Sequence, residues 1–283
     1  MKPIHCGLLL AVVLTAAAAP VKAAITCHIS SPGWSSAYVP ANAATNVTQS
    51  SFTVTCQRNA GGDPTTVNYT VAANNGIHAA GAQNRAQLGA TVNRINYEND
   101  ANSTCTILWA AVAANRIAGT ISGLAGFIPQ SQTVSYWGCI PGSQLGLPAG
   151  TYTDTVTMTL RYGGASNPTA TFPVSIFTPS TCNISTAPGT VAFTYTAFGA
   201  VSNASTTFGV TCTNLLPYTM ALDATVGVVV GLQYTLALGA AGGTGNGVEQ
   251  TYAINGTMPA GQAGTCVTTN CSATQMRTLT ITY

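Results

Sequence analysis

DTVTMTLRY at residues 154–162 and QMRTLTITY at 275–283 are two versions of one strand. Apolar and polar residues alternate, and β-branched residues fill most positions, the pattern of a strand with one buried face. After Tyr162 the chain continues GGASNPTATFPVSIFTPST, whereas the second version ends at Tyr283. In the continuation Phe172, Val174 and Ile176 alternate with polar or neutral residues. Pro173 has no amide proton to donate and restricts the segment to a sheet edge. The reading is a last strand near 169–178 that completes a first unit. The second unit is expected to lack it, which leaves an apolar groove and unpaired backbone groups. An extended segment of another chain can fill such a gap.

Self-comparison extends the duplication along the chain. TCHIS at 26–30 returns as TCNIS at 181–185, and SSFTVTC at 50–56 as TTFGVTC at 206–212. VNYTVA at 67–72 matches LPYTMA at 216–221, and INYEND at 95–100 stands where LQYTLA does at 232–237. Each copy reads as short strands broken by Gly, Pro and Asn, with no capped helical periodicity. The fold class expected is all-β: two Ig-like β-sandwich domains, at 24–179 and 180–283, the C-terminal one lacking its last edge strand.

The first 23 residues have a basic start, an apolar run from Gly7 to Ala19, and Val21-Lys22-Ala23 as a small-residue cleavage site. They read as a signal peptide, so the chain is expected to be secreted. Cleavage removes Lys2, Lys22 and Cys6 and leaves six arginines against six carboxylates. A near-neutral chain has no basic stripe for nucleic acid and no polybasic patch for a membrane surface. Eight cysteines remain, an even number suited to disulfides in an oxidising compartment. In each copy one cysteine opens a strand and the next closes its neighbour, which pairs Cys27 with Cys56 and Cys182 with Cys212. Cys266 and Cys271 form a local clip, and Cys105 takes Cys139.

Between matching landmarks the first copy is the longer, and the surplus is in loops, where binding residues concentrate. The largest insertion, ILWAAVAANRIAGTISGLAGFIP at 107–129, places Ile117, Ile121, Leu124, Phe127 and Ile128 among glycines. Within it, Ile107, Leu108, Trp109 and Val112 read as an ordinary strand. A second apolar tip is QLGLPAG at 144–150, with Leu145, Leu147 and Pro148, and a milder one is NNGIHAAGA at 74–82, with Ile77. Exposed, these residues would bind a surface by removing apolar area from water, at roughly 25 cal/mol per Å². The alternative is that 107–129 and 144–150 pack into the core and that 74–82 is an ordinary polar surface loop.

Catalytic patterns are absent. His28 and His78 are the histidines left after cleavage, and the acids Asp63, Glu98, Asp100, Asp154, Asp223 and Glu249 are scattered. No nucleophile elbow, zinc-helix or phosphate-loop motif occurs, and no carboxylate pair is spaced for glycoside hydrolysis. No enzyme activity, cofactor or metal is expected. Trp34 reads as a core aromatic.

The paired Thr-Cys starts, the F-x-V-T-C strand, the x-Y-T strand and PAGTYTDTVTMTLRY at 148–162 resemble the spore coat protein U domain family, found in pilins of archaic chaperone–usher pili. The second copy departs from the pattern where Cys-Val-Thr-Thr-Asn-Cys replaces PAGTY. The resemblance implies a pilin that lacks its last strand. The N-terminal donor strand of the next pilin subunit supplies it, after a periplasmic pilus chaperone has held the groove, and an outer-membrane usher exports the fibre. Ile184, Leu279, Ile281 and Tyr283 are the expected acceptor-groove residues, and Phe172, Val174 and Ile176 the self-complementing strand.

Three residues, Ala24 to Thr26, precede Cys27 after cleavage. A donor strand needs on the order of ten residues at about 3.3 Å each. The expected place is therefore the pilus tip, as a two-domain tip adhesin for an abiotic or host surface and for biofilm formation. Hydrophobic finger-like loops, a feature of that family's tip adhesins, would make the contact. The alternatives are a lectin-like carbohydrate-binding tip and a secreted coat protein assembled by strand exchange.

Overall fold

The computed structural model describes residues 25–163 and 167–283; the expected signal peptide at 1–23 lies outside the described residues. Among the described residues the threonine-rich alternation folds into eighteen strands. In the N-terminal unit they are β1 (Thr26–Ser30), β2 (Trp34–Ala37), β3 (Asn46–Gln57), β4 (Val67–Ala73), β5 (Asn84–Leu88), β6 (Arg94–Asp100), β7 (Ile117–Ile121), β8 (Gln130–Ile140), β9 (Gly150–Arg161) and β10 (Thr169–Thr178). In the C-terminal unit they are β11 (Cys182–Thr186), β12 (Ser202–Cys212), β13 (Pro217–Leu222), β14 (Val226–Val229), β15 (Leu232–Leu238), β16 (Gly242–Thr244), β17 (Glu249–Met258) and β18 (Leu279–Thr282). The protein is all-β and has two domains, each with its own cluster of buried side chains.

The N-terminal sheet runs β1-β3-β8-β6-β5-β9-β10-β2, with β4 joining β7 to β9. It curls on itself because β5 meets β9, Gln87 opposite Thr153 and Leu88 opposite Tyr152. The C-terminal unit remains as two separate sheets, β11-β12-β17-β15-β14 and β16-β13-β18. The strand pairing makes the repeat visible: Cys27 lies opposite Cys56 in β1–β3, and Cys182 opposite Cys212 in β11–β12. Disulfides join these two pairs, and also Cys105 to Cys139 and Cys266 to Cys271.

Strand register fixes how β8 and β17 correspond. Phe52 lies opposite Val134, and its counterpart Phe208 lies opposite Tyr252. Tyr252 therefore matches Val134, and not Tyr136, the tyrosine two residues further along β8. A two-residue slip leaves every side chain on the same face, so alternation cannot detect it. A close approach also recurs. A Cβ on Gly138 would lie 2.3 Å from the Trp34 indole, and one on Gly256 would lie 2.5 Å from Phe193. In both units the glycine lets an aromatic side chain lie flat on the sheet.

The N-terminal core is aromatic. Trp109 stacks on Phe52 at 5.3 Å and on Phe172 at 6.0 Å, and its Nε1 donates to the Val71 carbonyl at 2.8 Å. Contrary to the sequence reading, residues 107–112 form no strand. Leu108 makes an isolated bridge to Asp100, and a loop delivers Trp109 into the core. Indole size and a single satisfied N–H, not strand alternation, hold it there.

Candidate strand-acceptor and surface-binding sites

In the N-terminal unit β10 closes the structure. It pairs antiparallel with β9 over its whole length and parallel with β2, where Val174 lies opposite Trp34. Phe172, Val174 and Ile176 are each at most 1% exposed. Phe172 packs against Tyr136 at 5.4 Å as well as against Trp109.

The C-terminal counterparts of β9 and β2 are β18 and residues 191–195. Among the described residues β18 pairs with β13 alone, and 191–195 form no strand. Val191, Phe193 and Tyr195 still alternate inward, half-buried against the core. The expected groove residues are less buried than their counterparts in the first unit. Ile184 is 39% exposed where its counterpart Ile29 is 6% exposed. Leu279 and Ile281 are half-buried where Met158 and Leu160 are fully buried, and Tyr283 is 59% exposed. Arg277 and Gln275 bond the Tyr234 hydroxyl, Arg277 Nε donating at 3.0 Å and Gln275 Oε1 accepting at 2.6 Å. Their counterpart in the first unit is the buried Asp154, which accepts from the Tyr97 hydroxyl at 2.7 Å.

The apolar loop residues separate into two groups. Ile121, Leu124 and Leu147 are core residues, at 4%, 1% and 8% exposure, and Pro148 is buried as well. These four do not present the exposed surface expected of them. The segment 117–121 is strand β7 on β4, which carries Ile121 inward and leaves Ile117 half-buried. The Leu124 amide donates to the Thr65 carbonyl at 3.0 Å and turns that side chain into the core. Phe127 and Ile128 project, both 65% exposed, as do Ile77 and Leu145.

The projecting residues do not share a pole. Residues 122–129 stand where β1 and β8 begin and β3 ends, and the Arg58 guanidinium donates to the Leu124 carbonyl there at 3.4 Å. The 144–148 stretch lies at the opposite end, against the C-terminal unit. Asn214 Nδ2 donates to the Gly146 carbonyl at 2.7 Å, and Pro148 bridges Asn214. Residues 74–82 lie on the flank. Their anchor is a polar residue that the loop reading passed over: Asp154 accepts from the Ile77 amide at 2.9 Å and the His78 amide at 3.3 Å. The acid in TYTDT is the signal that pointed to it.

The Spore Coat Protein U domain model matches residues 12–159 and 168–233, well over half of the chain. The chain belongs to the spore coat protein U domain family. No curated protein matches this family member. Its fold is similar to a chain of the chaperone–tip adhesion subunit complex CsuC–CsuE from archaic chaperone–usher Csu pili of Acinetobacter baumannii. The TM-score is 0.50 at 14% identity, over 91% of this chain and 99% of that one. The CupB6 tip adhesin of Pseudomonas aeruginosa aligns at TM-score 0.40 and 11% identity, over 92% and 96% of the two chains. Among the described residues of this spore coat protein U chain, no three His, Cys, Asp or Glu side chains gather as a metal site.

Proposed function

We propose that this protein is the tip adhesin subunit of an archaic chaperone–usher pilus, secreted through the periplasm to the cell surface. Its C-terminal domain accepts the N-terminal donor strand of the next pilin. Its N-terminal domain, closed by β10 at 169–178, contacts an abiotic or host surface and supports biofilm formation. A periplasmic chaperone occupies the acceptor groove until the outer-membrane usher exchanges it. The observation that carries this reading is the difference between β9 and β18. The first is flanked by β10, and the second has no strand on its outer edge among the described residues. The spore coat protein U fold and its likeness to a chain of a tip-subunit complex agree with it.

An alternating apolar strand entering beside β18 would cover Ile184, Leu279 and Ile281, at about 1.5–3 kcal/mol for each side chain taken from exposed to buried. The test compares thermal unfolding of the chain alone with that of the chain carrying a flexible linker and residues 167–179 after Tyr283. The extended form should unfold on the order of 10 °C higher. Equal midpoints would sink the acceptor assignment.

Surface attachment is assigned to Phe127 and Ile128. A cleft of about 70 Å³ beside them, lined by Thr26, His28, Thr55, Cys56, Gln57 and Pro129, holds no aromatic platform for a sugar ring. A pair of apolar side chains per fibre becomes strong attachment through many fibres. Phe127→Asp and Ile128→Asp should abolish binding to a hydrophobic surface and leave the unfolding midpoint in place. Undiminished attachment would reject these two residues as the contact.

A further inference from the structure

A turn absent from the sequence comparison occurs in both units with the same hydrogen bonds. In the N-terminal unit the Gln144 amide donates to the Tyr38 hydroxyl at 3.1 Å, and Gln144 Nε2 donates to the carbonyls of Pro141 and Asn96 at 3.1 and 2.9 Å. In the C-terminal unit the Gln262 amide donates to the Tyr195 hydroxyl at 2.9 Å. Gln262 Nε2 donates to the carbonyls of Pro259 and Gln233, both at 3.0 Å. The backbone agrees too. Ser143 donates to Asn42, and Gly261 to Gly199, with positive φ of 58° and 76° at the two donors. Two residues beyond each glutamine stands a glycine at positive φ, Gly146 at 77° and Gly264 at 69°. The chain thus builds one turn twice, at the corresponding pole of each unit.

The first turn is occupied. Beyond it, the Gly146 carbonyl accepts from Asn214 of the C-terminal unit, and a Cβ on Gly247 would lie 2.9 Å from the Gly146 amide. This contact is made by the end of the C-terminal unit where Cys182 and Cys212 pair. The connection explains the seat. Strand β10 ends at Thr178 at this same pole, and after three intervening residues Cys182 opens the next unit. A strand that completes one unit therefore delivers the cystine end of the following unit onto this turn.

The second turn has no such neighbour among the described residues. Residues 263–276 are exposed or half-exposed, with Val267 at 96%, and the adjoining loop carries Phe198 at 74% and Val201 at 52%. Beyond Gly264 the two turns part, and the loop clipped by Cys266 and Cys271 replaces Leu147 and Pro148. We infer that this pole of the C-terminal domain, formed by residues 259–267 and 196–201, seats the cystine-bearing end of the next subunit, a domain of the same spore coat protein U fold. The Gly264 carbonyl takes a side-chain amide donor as Gly146 takes Asn214, and Phe198 and Val267 form an apolar margin. The fibre joint is then a strand plus a docked pole, and the junction between this chain's own domains is its template. The inference rests on the strand-acceptor reading.

Hydrogen exchange on three full-length forms separates the two. The first is the chain itself, and the second carries a flexible linker and residues 167–179 after Tyr283. The third carries the linker and residues 167–283, with Val201→Ile and Val267→Ile in the added copy so that its peptides differ in mass. Both extensions should slow exchange in β18 and in 191–195. Only the third should also slow 196–201 and 259–267, by about tenfold, and Asn214→Ala in the added copy should reverse that slowing alone. Exchange at this pole equal in the second and third forms, with β18 slowed in both, would overturn the docking pole and leave the strand acceptor intact. If β18 is slowed in neither extended form, both readings fall.

Discussion

Ile29 and Ile184 occupy the same place in two copies of one strand plan, two residues after the opening cysteine, yet one is 6% exposed and the other 39%. The difference extends through each unit. Met158, Leu160 and Trp34 are buried, and their counterparts Leu279, Ile281 and Val191 are only half-buried. Neither copy is poorer in apolar residues at these positions. What differs is one strand: β10 covers the N-terminal core between β9 and β2, and nothing among the described residues covers the C-terminal one. The extra strand decides the burial, because apolar side chains on an open edge have partners on one side only.

The largest effect expected comes from removing that cover in the unit that has it. Phe172 is fully buried against Trp109 and Tyr136. Phe172→Asp places a charge in that core and should unfold the N-terminal domain, since even truncation of such a side chain costs about 3–5 kcal/mol. Near-ultraviolet circular dichroism would lose its tryptophan signal, because Trp34, Trp109 and Trp137 all lie in this domain. Retention of that signal would show that β10 is dispensable.

A smaller pair of changes tests whether Ile29 and Ile184 differ only in cover. Ile29→Ala should cost about 2–4 kcal/mol in denaturant unfolding, and Ile184→Ala less than about 1 kcal/mol. With residues 167–179 appended through a linker, the cost of Ile184→Ala should rise toward that of Ile29→Ala. An unchanged cost would mean that the added strand does not pass over Ile184.

The smallest expected effect depends on pH and belongs to one unit alone. Asp100 is buried, its Oδ2 has no hydrogen-bond partner, and its counterpart in the other unit is Ala237. Burial first, and the nearby Glu98 second, push Asp100 up to about 6 from an ordinary value of 3.8. The folded value lies above the unfolded one, so the domain favours the protonated form. Stability from this group is present near pH 4 and is lost as pH rises through about 6. Asp100→Asn should therefore stabilise the N-terminal domain at pH 7.5, on the order of 1 kcal/mol after solvent screening, and do nothing at pH 4. Equal gains at both pH values would assign the effect to packing instead.

The sequence by itself determined the all-β class and the two-unit organisation. Both are written in local patterns: alternation along a strand, the spacing of cysteines, and near-identical segments such as FTVTC and FGVTC. Strand alternation states which face is buried, and Phe172, Val174 and Ile176 show it plainly. Only the tertiary structure decided which loop residues are exposed. Leu124 and Phe127 stand three residues apart in one glycine-rich run, and one is buried while the other projects. A loop has no period, so its exposure is set by whichever backbone it meets, here the Thr65 carbonyl that takes the Leu124 amide. The same is true of the 144–148 stretch, read as a tip and found against Asn214. The repeated glutamine turn was equally out of reach. Its members come from segments about fifty to one hundred residues apart, and only folding brings the Tyr38 hydroxyl and the Asn96 carbonyl to Gln144.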